Sequence, residues 1–239
     1  MITFSSLSSF GNREYNEDSI QYVEESDNYF FVLADGLGSH GLGDIASKTA
    51  CNIFCDNYIE LGLEKTCQLA QQKILEKQDQ EKKENSMKTT VAAININTKS
   101  KTYEQIHLGD SRIYHFNRLR LLSQTKDHSV CQKLANAHLI KESEIRHHRD
   151  RNKLLDVLGS QWSIQNPFII KKGTFKRFEA ILICSDGFWE YIDEKEMIRC
   201  LRKSTTPEEW LSNMEKIVIK NGSNHNMDNY SAFTIYYRG

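Results

Sequence analysis

A chain of 239 residues, 39% hydrophobic and 26% charged, is long enough to build one sizeable core and bury roughly 70% of its unfolded surface. Its 31 Lys and Arg nearly cancel its 32 Asp and Glu, and a formal net charge of -1 gives no basic face for nucleic acid or an anionic membrane. Only two prolines occur, Pro167 and Pro207, and no Pro/Gly/Ser-rich linker divides the chain, so one domain over 1–239 is expected.

The stretch Met1 to Arg13 is serine-rich and lacks the apolar run of a secretory leader. Glu17 and Asp18 follow in NREYNED, just before an expected strand at Ser19–Val23. Tyr29–Ala34 (YFFVLA) reads as a buried strand and runs into Asp35-Gly36. It is the longest apolar run and far too short to span a bilayer, so a cytoplasmic protein without membrane contact is expected. Gly43–Leu61 and Glu64–Lys83 have helical stripes, Ile45, Ala46, Ala50, Ile53, Phe54 and Tyr58 in the first, Cys67, Ala70, Ile74 and Leu75 in the second. The six cysteines include no C-x-x-C pair and read as small buried hydrophobes in a reducing environment.

Further strands are expected at Thr90–Ile96, Gln105–Leu108 and Arg112–Phe116, with Asp110 between the last two. Asp127 to Gly159 is polar, with weak helical spacing, and reads as a surface flap. Ala180–Cys184 (AILIC) is a buried strand running into Asp186-Gly187. Asp193 to Glu196 starts a short helix. Thr206-Pro207-Glu208-Glu209 is a capping box for a helix ending near Lys220, at Asn221-Gly222. Asp228 precedes the last strand, Ala232–Tyr237. Strands come in groups with helices between the groups, which favours an antiparallel α+β sandwich over a doubly wound parallel sheet.

Two apolar strands each deliver an aspartate followed by glycine. Either Asp-Gly alone is an ordinary turn signal. Glu17 with Asp18, Asp35, Asp110, Asp186 and Asp228 together make five acidic strand-edge sites, too many for turns alone. Buried carboxylates need a counter-charge. Hard oxygen ligands without a Cys/His cluster suit Mg²⁺ or Mn²⁺, and paired ions of this kind activate water against phosphate esters. No P-loop, H-E-x-x-H or G-x-S-x-G is present.

The segments GNREYNEDS, LADGLGSHGLGDIAS, KTTVAA, HLGDSRIYHFNRLRLLSQTKDHS, ILICSDGFWEYI and DNYSAFTIYY occur in that order across nearly the whole chain. In this the sequence resembles the type 2C (PPM) family of metal-dependent Ser/Thr protein phosphatases, in its compact bacterial form. The resemblance implies a four-layer α-β-β-α sandwich, two antiparallel sheets flanked by helices, with the metal site at one end. It implies that Asp35 bridges two Mn²⁺ or Mg²⁺ ions, that the Gly36 carbonyl ligates one, and that Asp186 and Asp228 complete the other. Glu17 and Asp18 would act largely through water. Asp110 with Asp186 would hold a third, weaker ion, and Arg13 would grip the substrate phosphate. Asp127 to Gly159 matches the family's flap, where His147, His148, Arg149 and Arg151 are either a solvated face or a cationic rim.

Some positions depart from the pattern or take humbler roles. Leu37 stands where some members have a histidine, and Ser39 where glycine is usual; His40 is read as a supporting residue, not the general acid. Arg112 is read as an ion-pair partner and Trp189 as packing. The expected activity is hydrolysis of phosphoserine and phosphothreonine in proteins, by a monomer opposing a separate Ser/Thr kinase. Two other readings are an inactive scaffold that binds a phosphoprotein and a two-metal phosphoesterase for small molecules. Retention of Asp35, Asp186 and Asp228 favours activity.

Overall fold

The computed structural model describes residues 1–38, 42–83 and 86–238. One antiparallel sheet comprises β1 (Ile2–Ser9), β7 (Arg112–Asn117), β8 (Leu121–Gln124), β10 (Glu179–Cys184) and β11 (Tyr230–Tyr237), in the order β1-β11-β10-β7-β8. The other comprises β2 (Asp18–Glu25), β3 (Asn28–Leu37), β5 (Val91–Asn97), β6 (Thr102–Leu108) and β9 (Ile169–Thr174), ordered β2-β3-β5-β6-β9, with the short β4 (Lys88–Thr89) on β3. The helices are α1 (Leu42–Gln80), α2 (Val130–Asn136), α3 (Glu142–Ile145), α4 (Asp186–Trp189), α5 (Glu194–Lys203) and α6 (Pro207–Gly222).

Side-chain alternation along each strand builds the layers. Phe30, Val32 and Ala34 pack on Ala46, Ala50 and Phe54 of α1, while Phe31 and Leu33 face the other sheet. Along β10, Ala180, Leu182 and Cys184 pack with Trp189, Met197 and Trp210, while Ile181 and Ile183 meet Phe31 and Leu33 between the sheets. Strands apolar on both faces explain the unbroken runs YFFVLA and AILIC. The result is the expected four-layer sandwich.

The two helices expected before residue 84 form one element interrupted at Gly62, whose φ of 76° and ψ of 163° leave the helix. At α6, Thr206 Oγ1 accepts from the Glu209 N–H (3.2 Å), while Glu209 Oε2 accepts from the Thr205 N–H (2.8 Å). At α5, Asp193 Oδ1 accepts from the Glu196 N–H (2.8 Å).

Register decides where the acids meet. Asp18 lies opposite Asp35 across β2 and β3, Val91 opposite Leu108, and Cys184 opposite both Arg112 and Ala232. The end of β3, the start of β2, the β6–β7 turn, the end of β10 and the start of β11 therefore share one end of the sandwich.

Candidate active site

A cleft of about 440 Å³ opens at that end, lined by Arg13, Glu17, Asp35, Gly36, Asp110, Asp186 and Asp228 among others. Six of the expected metal residues line it directly. Asp18 is buried just beneath, paired in register with Asp35.

The backbone fixes each carboxylate. The Asp35 N–H donates to Thr90 Oγ1 (3.0 Å), and the Asp35 carbonyl accepts from the Thr90 N–H (2.9 Å) and Thr89 Oγ1 (2.9 Å). The Gly36 N–H donates to the Glu17 carbonyl (3.1 Å), and a Cβ on Gly36 would stand 2.3 Å from the Gly43 carbonyl oxygen. Only glycine allows this approach of β3 to the start of α1. Glu17 Oε1 accepts from the Gly43 N–H (3.1 Å) and the Glu17 carbonyl from Ser47 Oγ (2.6 Å), so Glu17 also supports the first turn of α1.

Asp18 ties the two sheets together. Its Oδ2 accepts from Ser185 Oγ (2.8 Å), which itself accepts from the Ser231 N–H (2.9 Å). Asp18 Oδ1 is buried without a hydrogen-bond partner. Asp186 opens α4, and a Cβ on Gly187 would lie 2.2 Å from the Asn229 carbonyl oxygen. The Asp110 carbonyl accepts from Trp189 Nε1 (2.9 Å).

Burial, and then the neighbouring carboxylates, raise the pKa values of the buried acids of the site. Asp18 is pushed up to about 7, chiefly by desolvation, with Asp186 and Asp228 adding to it. Asp186 is pushed up to about 6 by desolvation and then by Asp228 and Glu190. Asp35 and Asp110 are held well above the usual carboxylate range for the same reasons, and Glu17 is raised, mainly by burial. A cluster of acids so shifted is a site short of positive charge.

Arg13 and Asp228 stand differently from expectation. Arg13 Nε donates to Asp228 Oδ1 (3.1 Å) and Nη2 to Asp228 Oδ2 (3.1 Å), so the expected phosphate grip holds an expected metal ligand. Among the described residues no three His, Cys, Asp or Glu side chains are drawn together closely enough to grip a metal as they stand. In donor chemistry the cleft fits a hard divalent cation: its acidic side chains and carbonyls offer oxygens, and among the described residues no Cys or His lines it.

Sequence reasoning missed Asn229. Its Oδ1 accepts from the Glu17 N–H (2.8 Å), and its Nδ2 donates to the carbonyls of Phe10 (3.0 Å) and Tyr15 (2.8 Å). One buried amide thus pins the arm that carries Arg13 to the start of β11. The only signal was its place in Asp228-Asn229 before an apolar strand. Ser39 and His40 lie outside the described residues.

The segment 127–159 lies beside the cleft, to which it contributes Asn152 and Leu154. Of the cations expected there, Arg151 pairs with Glu190 (2.6 Å), while Arg149 (3.5 Å) and His148 (4.0 Å) share Asp150 with Lys153 (2.8 Å). Arg146 pairs with Glu194 (2.7 Å). Arg112 is buried and bidentate to Asp127 (2.8 and 2.7 Å), with its guanidinium 3.6 Å from the centroid of the Trp189 ring. These are the ion-pair and packing roles expected of Arg112 and Trp189.

The family model described as protein phosphatase 2C matches residues 8–228. The chain belongs to this family. A curated relative, the serine/threonine phosphatase stp of Listeria monocytogenes, is 30% identical over 207 residues, covering 81% of this chain and 80% of its own. The serine/threonine phosphatase Stp1 from Staphylococcus aureus has a similar fold, with a TM-score of 0.86 at 24% identity over 100% of this chain and 96% of its own. The catalytic domain of the serine/threonine protein phosphatase PstP, solved in complex with two manganese ions, aligns with a TM-score of 0.82 at 21% identity over 100% of this chain and 99% of its own. As a protein phosphatase 2C member the chain is a metal-dependent enzyme of bacterial Ser/Thr phosphatase type. Among the described residues no helix is long and apolar enough to cross a membrane.

Proposed function

We propose that this protein phosphatase 2C member hydrolyses phosphoserine and phosphothreonine in proteins at the acidic cleft, using two Mn²⁺ or Mg²⁺ ions and a third at a weaker site. Asp35, the Gly36 carbonyl, Asp186 and Asp228 hold the pair, Asp110 with Asp186 serves the third, and Glu17 and Asp18 act from behind. Bound there, the ions activate water and neutralise the substrate phosphate. The chain's own residues do the rest. Register holds Asp18 and Asp35 opposite one another, the Thr89–Thr90 contacts fix the backbone of Asp35, and Ser185 fixes one oxygen of Asp18, which leaves the other for the cleft. Arg13 offers a planar pair of N–H donors to a phosphate dianion. The unit 1–239 works as one domain, with 127–159 as its flap, and opposes a Ser/Thr kinase in the cytoplasm.

The observation that carries this reading is the gathering of Asp35, Asp110 and Asp186, raised in pKa by burial, beside Arg13 in one cleft, with Asp18 buried beneath. Such a cluster binds cations, and cations plus arginine bind phosphate. The test is phosphate release by purified protein in excess Mn²⁺ from p-nitrophenyl phosphate and from a phosphothreonine peptide. Release from neither overturns the reading. Release from p-nitrophenyl phosphate alone points to a small-molecule substrate.

A further inference from the structure

The arm from Phe10 to Tyr15 is pinned by hydrogen bonds along its backbone and yet presents two exposed aromatic rings. Its backbone is fixed at both ends by Asn229, in the middle by the Asn12 N–H donating to the Met227 carbonyl (3.0 Å), and internally by the Arg13 N–H donating to the Phe10 carbonyl (3.0 Å). Gly11 has φ +57°, and a Cβ there would lie 2.1 Å from the Asp228 carbonyl oxygen, so the arm sits flush on the chain before β11. On this fixed backbone Phe10 is 55% and Tyr15 60% exposed.

Tyr15 lines the cleft together with the apolar Leu37 and Leu154. These three come from the arm, the end of β3 and segment 127–159, on walls that otherwise carry acids, Arg13, Asn152, Asn229 and glycine backbone. Glu14 lines the same cleft and repels an acidic neighbour of the phosphorylated residue. An aromatic ring on a pinned backbone gives contact area while losing little conformational freedom on binding. A single exposed aromatic ring is otherwise unremarkable on a protein surface, so it is the placement of Tyr15, two residues from Arg13 and inside the cleft, that gives it meaning.

We propose that Tyr15, with Leu37 and Leu154, forms an apolar subsite that receives an aliphatic or aromatic side chain next to the phosphorylated serine or threonine of a protein substrate. The inference rests on the phosphatase reading and adds to it a preference for apolar flanking residues. Arg13 takes the phosphate, Tyr15 takes the neighbour, and Asn229 sets the spacing between them.

The experiment uses the full chain in excess Mn²⁺ with two phosphothreonine peptides that differ only in carrying leucine or alanine on both sides of the phosphothreonine. The leucine peptide is expected to have at least about a fivefold higher kcat/KM, carried mainly by KM, as partial burial of a leucine side chain implies. Tyr15→Ala is expected to bring that ratio below about twofold, while Tyr15→Phe keeps it. Equal efficiency on the two peptides in the wild type overturns the subsite, and so does an unchanged ratio in Tyr15→Ala. Failure of the phosphatase reading looks different, as no phosphate is then released from either peptide or from p-nitrophenyl phosphate. In that case calorimetric binding of the same two peptides reads the preference without turnover, and its absence there overturns the subsite as well.

Discussion

Asp127 and Asp110 are both buried at the same end of the molecule, and they live under opposite electrostatic regimes. Asp127 receives both edges of Arg112, at 2.8 and 2.7 Å, and Arg112 lies against the Trp189 ring. Asp110 faces Asp186 and is held well above the usual carboxylate range, by burial first and then by its acidic neighbours. Where a charge serves the fold, the chain supplies the counter-ion itself. In the cleft only Asp228 has such a partner, in Arg13, while Asp35, Asp110 and Asp186 have no ion-pair partner among the described residues.

The strongest test of the unmatched group is Asp186→Asn. We expect turnover in excess Mn²⁺ to fall by at least about a thousandfold, roughly 4 kcal/mol of barrier. The metal-free melting temperature should not fall, because the substitution removes one of several mutually repelling acids. Normal rates on p-nitrophenyl phosphate would remove Asp186 from the site. The matched group should behave in reverse. Asp127→Ala strands a buried guanidinium and is expected to cost about 3–5 kcal/mol in urea unfolding. A loss below about 1 kcal/mol would mean that Arg112 and Asp127 do not form the structural pair described above.

The pH dependence of stability sharpens the contrast. Asp18 is raised from 3.8 to about 7 in the folded protein. The folded state therefore binds the proton more tightly than the unfolded state. That stability is fully present below about pH 4 and is lost as pH rises through 7. Metal-free protein should thus lose stability between about pH 4 and 7, by a few kcal/mol if Asp18 acts alone. Mn²⁺ at a hundredfold excess over its dissociation constant should restore about 2.7 kcal/mol at pH 7. Thermal melts at several pH values, with and without Mn²⁺, check both. A metal-free protein whose stability climbs over that window, with no Mn²⁺ effect, would contradict the picture of unmatched acids.

Much of this architecture was legible because its signals are local. YFFVLA and AILIC are apolar on both faces, as doubly buried strands must be, and the aspartate after each marks the exit of the strand from the core. The Thr206 and Asp193 caps were equally readable. What escaped depends on partners distant in sequence. β1 reads as a serine-rich terminus, yet it pairs residue by residue with β11, from Ile2 opposite Tyr237 to Ser9 opposite Tyr230. β9 is an edge strand whose exposed Lys171 and Lys172 hide its alternation, as edge strands favour. Asn229 acts on carbonyls more than two hundred residues away, at Phe10 and Tyr15, and no periodicity announces that. Arg151 looked available in sequence, because Glu190 lies far along the chain from it.

Arg13 and Asp228 form a third kind of pair, between the two regimes. They are bonded through two N–H groups, yet their side chains remain 45% and 43% exposed. Water screens such a pair, so its effect on folding is small. Arg13→Ala is expected to change unfolding free energy by no more than about 1 kcal/mol. Its effect on substrate should be much larger, with KM for a phosphopeptide rising about tenfold or more as a charge-assisted bidentate contact is lost. Nε and Nη2 cannot serve Asp228 and a substrate phosphate with the same edge at once. If Asp228 holds a cation as proposed, that cation would release the donors a phosphate would use, and Arg13→Lys, with one point charge and no fork, should restore charge without restoring KM. If Arg13→Ala left KM unchanged and destabilised the fold by several kcal/mol, the arginine would belong with Arg112 as a structural counter-ion, and the phosphate grip would have to be sought elsewhere in the cleft.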